Sequence, residues 1–322
     1  GVSHLSWTLH GLAIDLRAGQ WQAAAVRSAH RLLVWGLLLG IGSSAQAEPG
    51  RFASFVPLSA ADLYAKRMRF EAGEPLVSVG LMEGQAEVRV SANGPGRLMF
   101  EERGLPKTVS AAAPARFVLR PLRARPAELR YWVVVETRAY LDIRGAKAAE
   151  VKWAKECLAT KQFEVGSIVG LSGNVLDTRE RRIGSGGYPK ISYATKLAER
   201  LFRTKGLKAA IHEELVRVPV GEVGVYDVAG RLLHKADSSV CFGTVEGGRV
   251  RVDKVEHGRG YRSHGFENRT YRGHVYVVLD KDSKLSVINS VGAEELLNGL
   301  VPAEIFAKAP AAALEAQSVT AR

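Results

Sequence analysis

Between residues 129 and 218, two helical patterns sit among short strands, and this stretch constrains the chain more than any other. "LRYWVVVET" (129–137) has the near-continuous aromatic and β-branched run of a buried strand. "GAKAAEVKWAKECLATKQF" (145–163) follows with helical spacing, which puts Ala146, Ala149, Trp153, Cys157 and Leu158 on one face. "EVGSIVG" reads as a second strand and "RRIGSGGY" as a short third with a glycine-rich turn. "KISYATKLAERLFRTKG" (190–206) reads as a second helix, with Tyr193, Leu197, Leu201 and Phe202 as its apolar side and Gly206 placed to end it. "LKAAIHEELV" closes as a fourth strand. The halves repeat at an offset of 44 residues, Lys152, Ala154, Thr160 and Lys161 matching Lys196, Ala198, Thr204 and Lys205. Trp153 likewise falls on Leu197, and Phe163 on Leu207. Two β-α-β units of this size predict a split-βαβ sandwich with helices over one sheet face. "GSGGY" lacks the glycine spacing and following acid of a dinucleotide fingerprint, so it reads as a turn.

The flanks read as β-structure. "LVSVGL" and "AEVRVSA" alternate apolar and polar residues, and "ANGPG" is turn chemistry. The Pro- and Arg-rich stretch 114–127 reads as a boundary. Beyond the helical region, "VGEVGVYDV", "GRVRVDKVE", "YRGHVYVVLD" and "KLSVINSV" are strand patterns, with "DKDSK" as the hairpin turn between the last two. The strands of 76–120 are expected to pack with those of 219–290, the helical region being inserted between them. The fold class is therefore α+β: a β-rich domain with an inserted ferredoxin-like (βαββαβ) module. The expected division is 48–124 as a β-rich segment, 125–218 as the module, and 219–322 as further strands and a closing α/β part. His257, His264 and His274 lie near Arg262 and Arg269, but nothing in their spacing demands a metal, so surface histidines are expected. No metal and no cofactor are expected.

Composition (46% hydrophobic, 24% charged) is that of a folded protein, and the net charge of +12 favours anionic partners. No basic run with interleaved aromatics stands out, so nucleic acid is not an expected partner. Near the N-terminus, Arg27 and Arg31 precede the apolar run Leu32–Ile41, and Ala45-Gln46-Ala47 gives an A-x-A pattern. This order is that of a secretory signal cut after Ala47. A buried apolar helix is the alternative, and the run is only half of the ~20 residues a membrane span needs. Residues 1–47 are thus expected to be an upstream extension plus leader, with translation starting near Val26, and the protein to be exported to the periplasm or cell wall. Cys157 and Cys241 are too few for a disulfide scaffold; they pair in an oxidising compartment or serve as core thiols.

In the closing stretch, Ala293–Leu300 reads as a short helix ended by Pro302, and Pro310 opens another containing Leu314, Gln317 and Ala321. Glu304 falls in the intervening turn among Pro302, Ala303, Ile305 and Phe306. An apolar setting disfavours the charged carboxyl, which suits a general acid; a solvated or helix-capping glutamate is the alternative. Glu294, Glu295 and Glu315 read as solvated helical charges.

Two resemblances sharpen these expectations. The aromatic-led first strand and the "A-x-x-L-A-x-x-L-x-x-x-G"-type second helix over 129–218 resemble the SPOR domain. That resemblance implies binding of glycan strands stripped of stem peptides across the open sheet face; a purely structural module is the alternative. A "Y-x-G" strand, "L-x-V-I-N-x-V", "E-E-L-L-x-G-L-V-P-A-E" and "A-L-E-A-Q-S-V-T-A-R" over 271–322 resemble the opening of the SpoIID/LytB domain.

The second resemblance implies lytic transglycosylase action on denuded peptidoglycan, with Glu304 as catalytic acid/base and Arg322 as a second active-site residue. Ile305, Ser318 and Thr320 depart from the family pattern without removing a reacting group. One acid suffices where the muramyl 6-hydroxyl is the internal nucleophile, whereas ordinary glycosidases need two carboxylates. The implied partners are peptidoglycan glycan strands and cell-wall amidases. A non-catalytic binding or amidase-enhancing role is the alternative. The chain is expected to hold only the first part of that domain, to be inactive as it stands, and to fold poorly after about residue 290.

Overall fold

Period-two burial builds most of this molecule. A computed structural model describes residues 57–65, 69–71, 73–156, 159–171, 174–244, 248–258, 260–306 and 308–321. The expected leader and the Val26 start lie outside the described residues. The chain begins with α1 (Ala60–Tyr64), β1 (Arg69–Glu71), β2 (Glu74–Gln85), β3 (Val88–Ala92), β4 (Gly96–Glu102), β5 (Leu105–Ala111) and β6 (Ala115–Arg125). It continues through β7 (Glu128–Ala139), α2 (Ile143–Ala154), β8 (Thr160–Val165), β9 (Ile168–Leu171), β10 (Asn174–Asp177), β11 (Glu180–Tyr188), α3 (Ile191–Lys205) and β12 (Ala210–Arg217). There follow β13 (Val220–Tyr226), β14 (Leu232–Asp237), β15 (Ser239–Thr244), β16 (Val250–His257), β17 (Gly265–Tyr271), β18 (His274–Leu279) and β19 (Leu285–Gly292). Helices α4 (Ala293–Ile305) and α5 (Ala311–Ala321) close the chain.

Two antiparallel sheets share one core. The first runs β1-β2-β19-β18-β15-β4-β5 and the second β14-β13-β6-β3-β16-β17. Each interleaves strands from before and after the helical region: β2 pairs with β19, β4 with β15, β6 with β13, and β3 with β16. The alternation explains the packing. Val88 and Val90, Leu98 and Phe100, Val223 and Val225, Val240 and Phe242, Val275 and Val277, and Leu285 and Val287 each point inward at every second position. Each such side chain contributes roughly 1.5–3 kcal/mol by leaving water. The turn at 280–284 falls where the sequence puts it, joining β18 to β19.

The stretch 114–127 is not a boundary. Most of it is β6, an interior strand between β13 and β3. Pro121 is tolerated there because the pairing with β13 shifts register between Gly221 and Val223, so the missing N–H falls at an irregularity.

The inserted region forms a separate sheet in the order β12-β7-β11-β8, antiparallel throughout, with a two-stranded hairpin of β9 and β10. Helices α2 and α3 bury Ala146, Ala149, Trp153, Ala194, Leu197 and Leu201 against Val133, Val135 and Ile183. Asp142 caps α2 through the Gly145 N–H at 2.9 Å, and Gly206 ends α3 in the left-handed conformation at φ 68°.

Several expectations change here. The first helix stops at Ala154, and residues 160–163 belong to β8, where Gln162 and Phe163 alternate across the sheet. The 44-residue repeat is consequently not structural past the helices, since Lys161 is on a strand and Lys205 in a helix. Tyr193 and Phe202 are half-exposed flanks; the buried stripe runs through Ala194, whose small side chain brings α3 close to the sheet. Cys157 lies outside the described residues. Cys241 is a buried free thiol whose pKa burial pushes up to about 12, which makes it a core residue. The described residues after 290 form the end of β19 and two helices, where poor folding is the sequence expectation.

His274 is not a surface histidine either: burial pushes its pKa down to about 4. The folded protein therefore keeps it neutral while the unfolded chain protonates near 6.5, so the unfolded state binds the extra proton in that window. Stability is expected to fall by on the order of 2 kcal/mol as pH drops from 6.5 towards 4, and His274→Gln to flatten that slope, measured by urea unfolding across this range.

Candidate functional site

The C-terminal helices are held to the sheets by polar contacts that hydrophobic patterning does not reveal. In the β18–β19 turn the buried Asp280 accepts hydrogen bonds from the N–H groups of Asp282 (2.9 Å) and Lys284 (2.8 Å), and from Gly84 of β2 (2.9 Å). Asn289, also buried, donates to the carbonyls of Arg272 and His274, fixing the turn before β18.

Helix α4 lacks a side-chain cap of its own at Gly292. Its N-terminus is capped instead by Glu74, 220 residues earlier, which accepts from the Glu294 N–H at 2.8 Å. A Cβ at Gly292 would lie 2.5 Å from that carboxylate, so the cap requires glycine here. Arg272 adds an ion pair with Glu295 at 3.0 Å, and Val301 anchors the helix as its buried residue.

Glu304 lies in the last turn of α4, not in a turn after Pro302. Pro302 costs α4 one backbone hydrogen bond, and the helix runs on because buried Val301 and half-buried Ile305 continue its packed side across the proline. The Glu304 side chain is exposed, and one carboxylate oxygen accepts a hydrogen bond from the Gln317 amide on α5. The expected apolar enclosure is absent, because Phe306 points to solvent (83% exposed) and Ile305 is only half-buried. The arrangement is a helical corner of α4 and α5, with Leu314, Gln317 and Ser318 of α5 half-buried. Arg322 lies outside the described residues.

The second constellation is on the sheet of the inserted region, on the face away from α2 and α3. Trp132 of β7 pairs across to His212 of β12, and Gly184 of β11 to Lys161 of β8. Trp132 is nearly buried and donates its indole N–H to Glu214 at 2.8 Å. Phe163 meets Trp132 edge-on with centroids 5.5 Å apart, and the His212 ring lies 4.3 Å from Phe163. Lys161 bonds Glu214 and stands over the Phe163 ring. Burial alone would raise the Glu214 pKa, but hydrogen bonds from Lys161 and Trp132 outweigh it and hold the carboxyl below its ordinary range. A Cβ at Gly187 would lie 2.8 Å from the indole and one at Gly184 2.8 Å from the Trp132 Cβ, so these two glycines of "GSGGY" serve as the floor under Trp132 rather than as a turn.

The sequence reading missed Phe163, His212 and Glu214 as a group, and it placed Phe163 in a helix. The available signal was the second alternation on β7, in which Arg130, Trp132 and Val134 oppose the core-facing residues, together with glycines opposite a tryptophan.

Among the described residues, no group of three or more His, Cys, Asp or Glu is placed to hold a metal ion, and no helix is long and apolar enough to cross a membrane.

Residues 281–322, from the β18–β19 turn to the chain end, match the family model described as stage II sporulation protein, SpoIID. Curated proteins and solved structures return no match.

Replacing Glu74 with Ala is expected to cost about 1 kcal/mol and to loosen α4 selectively. Thermal unfolding and amide hydrogen exchange of residues 293–297 check this, because a purely local defect in β2 would leave exchange in α4 unchanged.

Proposed function

We propose that this protein acts on bacterial cell-wall peptidoglycan, with the α4–α5 corner as its reactive element; the match of residues 281–322 to the SpoIID family model supports this reading. The observation that carries the reading is the position of Glu304 within that family segment: exposed to a ligand, with one oxygen held by Gln317 and the other available. In this reading the chemistry is of the lytic transglycosylase kind. Protonated Glu304 gives its proton to the glycosidic oxygen as the C1–O bond breaks. The resulting carboxylate then takes the proton of the muramyl 6-hydroxyl as that oxygen bonds to C1, leaving a 1,6-anhydro end. Arg322 is proposed as a second residue of this site.

The inserted region is proposed to be a ferredoxin-like module of the SPOR kind that holds denuded glycan; its β12-β7-β11-β8 sheet, with α2 and α3 on one face, supports this reading. Its Phe163 and His212 rings, tilted against each other and backed by Trp132, offer aromatic surface for contact with a sugar ring. Export through the N-terminal leader brings the protein to that substrate, with wall amidases, which strip the stem peptides, as partners. A non-catalytic glycan-binding or amidase-enhancing role is the second reading. Solvent exposure of Glu304 favours it, since among the described residues nothing around the carboxyl excludes water from an oxocarbenium-like centre.

Two measurements separate these readings. Glu304→Gln is expected to lower release of anhydromuramyl products from denuded glycan by at least about a thousandfold, consistent with loss of the proposed acid/base; retained activity sinks the catalytic assignment. Phe163→Ala is expected to weaken pull-down on amidase-treated sacculi about tenfold, the scale of one lost aromatic contact, while leaving untreated sacculi unaffected.

A further inference from the structure

The charges of the inserted region are distributed unequally between its two faces. On the strands nearly every cation has a carboxylate: Arg130 with Glu128, Arg138 with Glu136, Lys161 with Glu214, Arg179 with Asp177, Arg181 with Glu164 and Arg182 with Glu180. The helices differ. Ala194, Leu197 and Leu201 turn one side of α3 to the core, so Lys196, Arg200 and Arg203, spaced i, i+4 and i+7, form its outward stripe. On α2 the same geometry, set by Ala146, Ala149 and Trp153, turns Arg144, Val151 and Lys155 outward. None of these five cations has an ion-pair partner among the described residues. The acids nearby are Glu150, taken by Lys147; Glu156, taken by Lys205 and lying near Arg200; and Glu199, which alone is left to oppose them.

Both helices pack on one sheet face. Charges within about a Debye length, roughly 8 Å at physiological ionic strength, reinforce one another, as the i, i+4 and i+7 cations along α3 do. The outward stripes of both helices thus put their cations on the same side of the module. A groove tracks a single polyanionic strand, whereas a broad face suits a planar array of charges. Exposed apolar side chains sit among the cations, Val151 at 47% and Phe202 at 51%; a soluble polyanion has no use for them, whereas the acyl boundary below lipid headgroups does.

We infer that the α2–α3 face docks on a membrane surface rich in anionic phospholipid headgroups. Docked this way, the region turns its aromatic sheet face away from the lipid. One module then bridges two surfaces, lipid on the helices and a separate ligand on the strands. This goes beyond the glycan reading and survives or fails independently of any activity of Glu304.

The test is partitioning of the full chain onto phosphatidylcholine vesicles with and without phosphatidylglycerol, compared among variants so that any contribution from the N-terminal apolar run cancels. The wild type is expected to prefer the anionic vesicles, and high salt to abolish the preference. Arg144→Gln/Lys196→Gln/Arg203→Gln is expected to lower that preference about a hundredfold, at roughly 1 kcal/mol per cation at the surface. The sheet-side pair Arg130→Gln/Arg182→Gln is expected to keep it. If the triple variant does not fold by its melting curve, Lys196→Gln alone is expected to lose about fivefold. Equal binding of the helix variants and the wild type overturns the inference. So does a wild type that binds soluble polyphosphate yet shows no preference for anionic vesicles.

Discussion

The pairing of β2 with β19 is the contact on which the rest of this structure depends. It closes the first sheet across the inserted region, joining a strand from before it to one from after it. It also brings Gly84 to Asp280 and Glu74 to the start of α4, so one register sets both polar contacts that seat the C-terminal elements. Slipping this pairing by one residue would turn Val287 and its neighbours to the wrong face and remove both acceptors together. The segment that the SpoIID family model matches is thus built on residues from the opposite end of the described chain.

This dependence gives the candidate catalytic corner a particular character. Glu304 rides on a helix whose N-terminus is fixed by a distant carboxylate and whose last turn is tied to α5 by one amide. Its position is well determined along α4, yet its surroundings are open. The aromatic site on the inserted sheet is the reverse: Trp132 is enclosed, its indole N–H is satisfied, and the glycines below it leave no room for side chains. One site supplies a reactive group without a cleft, and the other supplies a shaped surface without a reactive group. The proposed division between holding and cutting a glycan rests on that contrast.

Strand and helix identities were largely legible in the sequence because burial at period two or 3.6 is a local pattern. Val275, Val277 and Leu279 announce a half-buried strand, and Ala146, Ala149 and Trp153 a helix face, without knowledge of what covers them. Local pattern failed where tertiary contacts overrode it. Residues 160–163 look helical but add the β8 edge to the sheet, and Pro121 looks like a boundary but sits at an irregularity inside β6. Pro302 looks like a stop, yet α4 continues through it.

The sequence by itself determined the alternation that makes the two sheets, the helices of the inserted region, the hairpin turn at 280–284 and the residue type at position 304. Each follows from a preference expressed within a few neighbours. Only the tertiary structure decided which strands pair across the insertion, which carboxylate caps α4, that Trp132, Phe163 and His212 converge, and that Glu304 faces water rather than an apolar wall. Those outcomes depend on contacts between residues tens to hundreds of positions apart, whose free energy is set by register and burial in the folded chain and leaves no local periodicity to read.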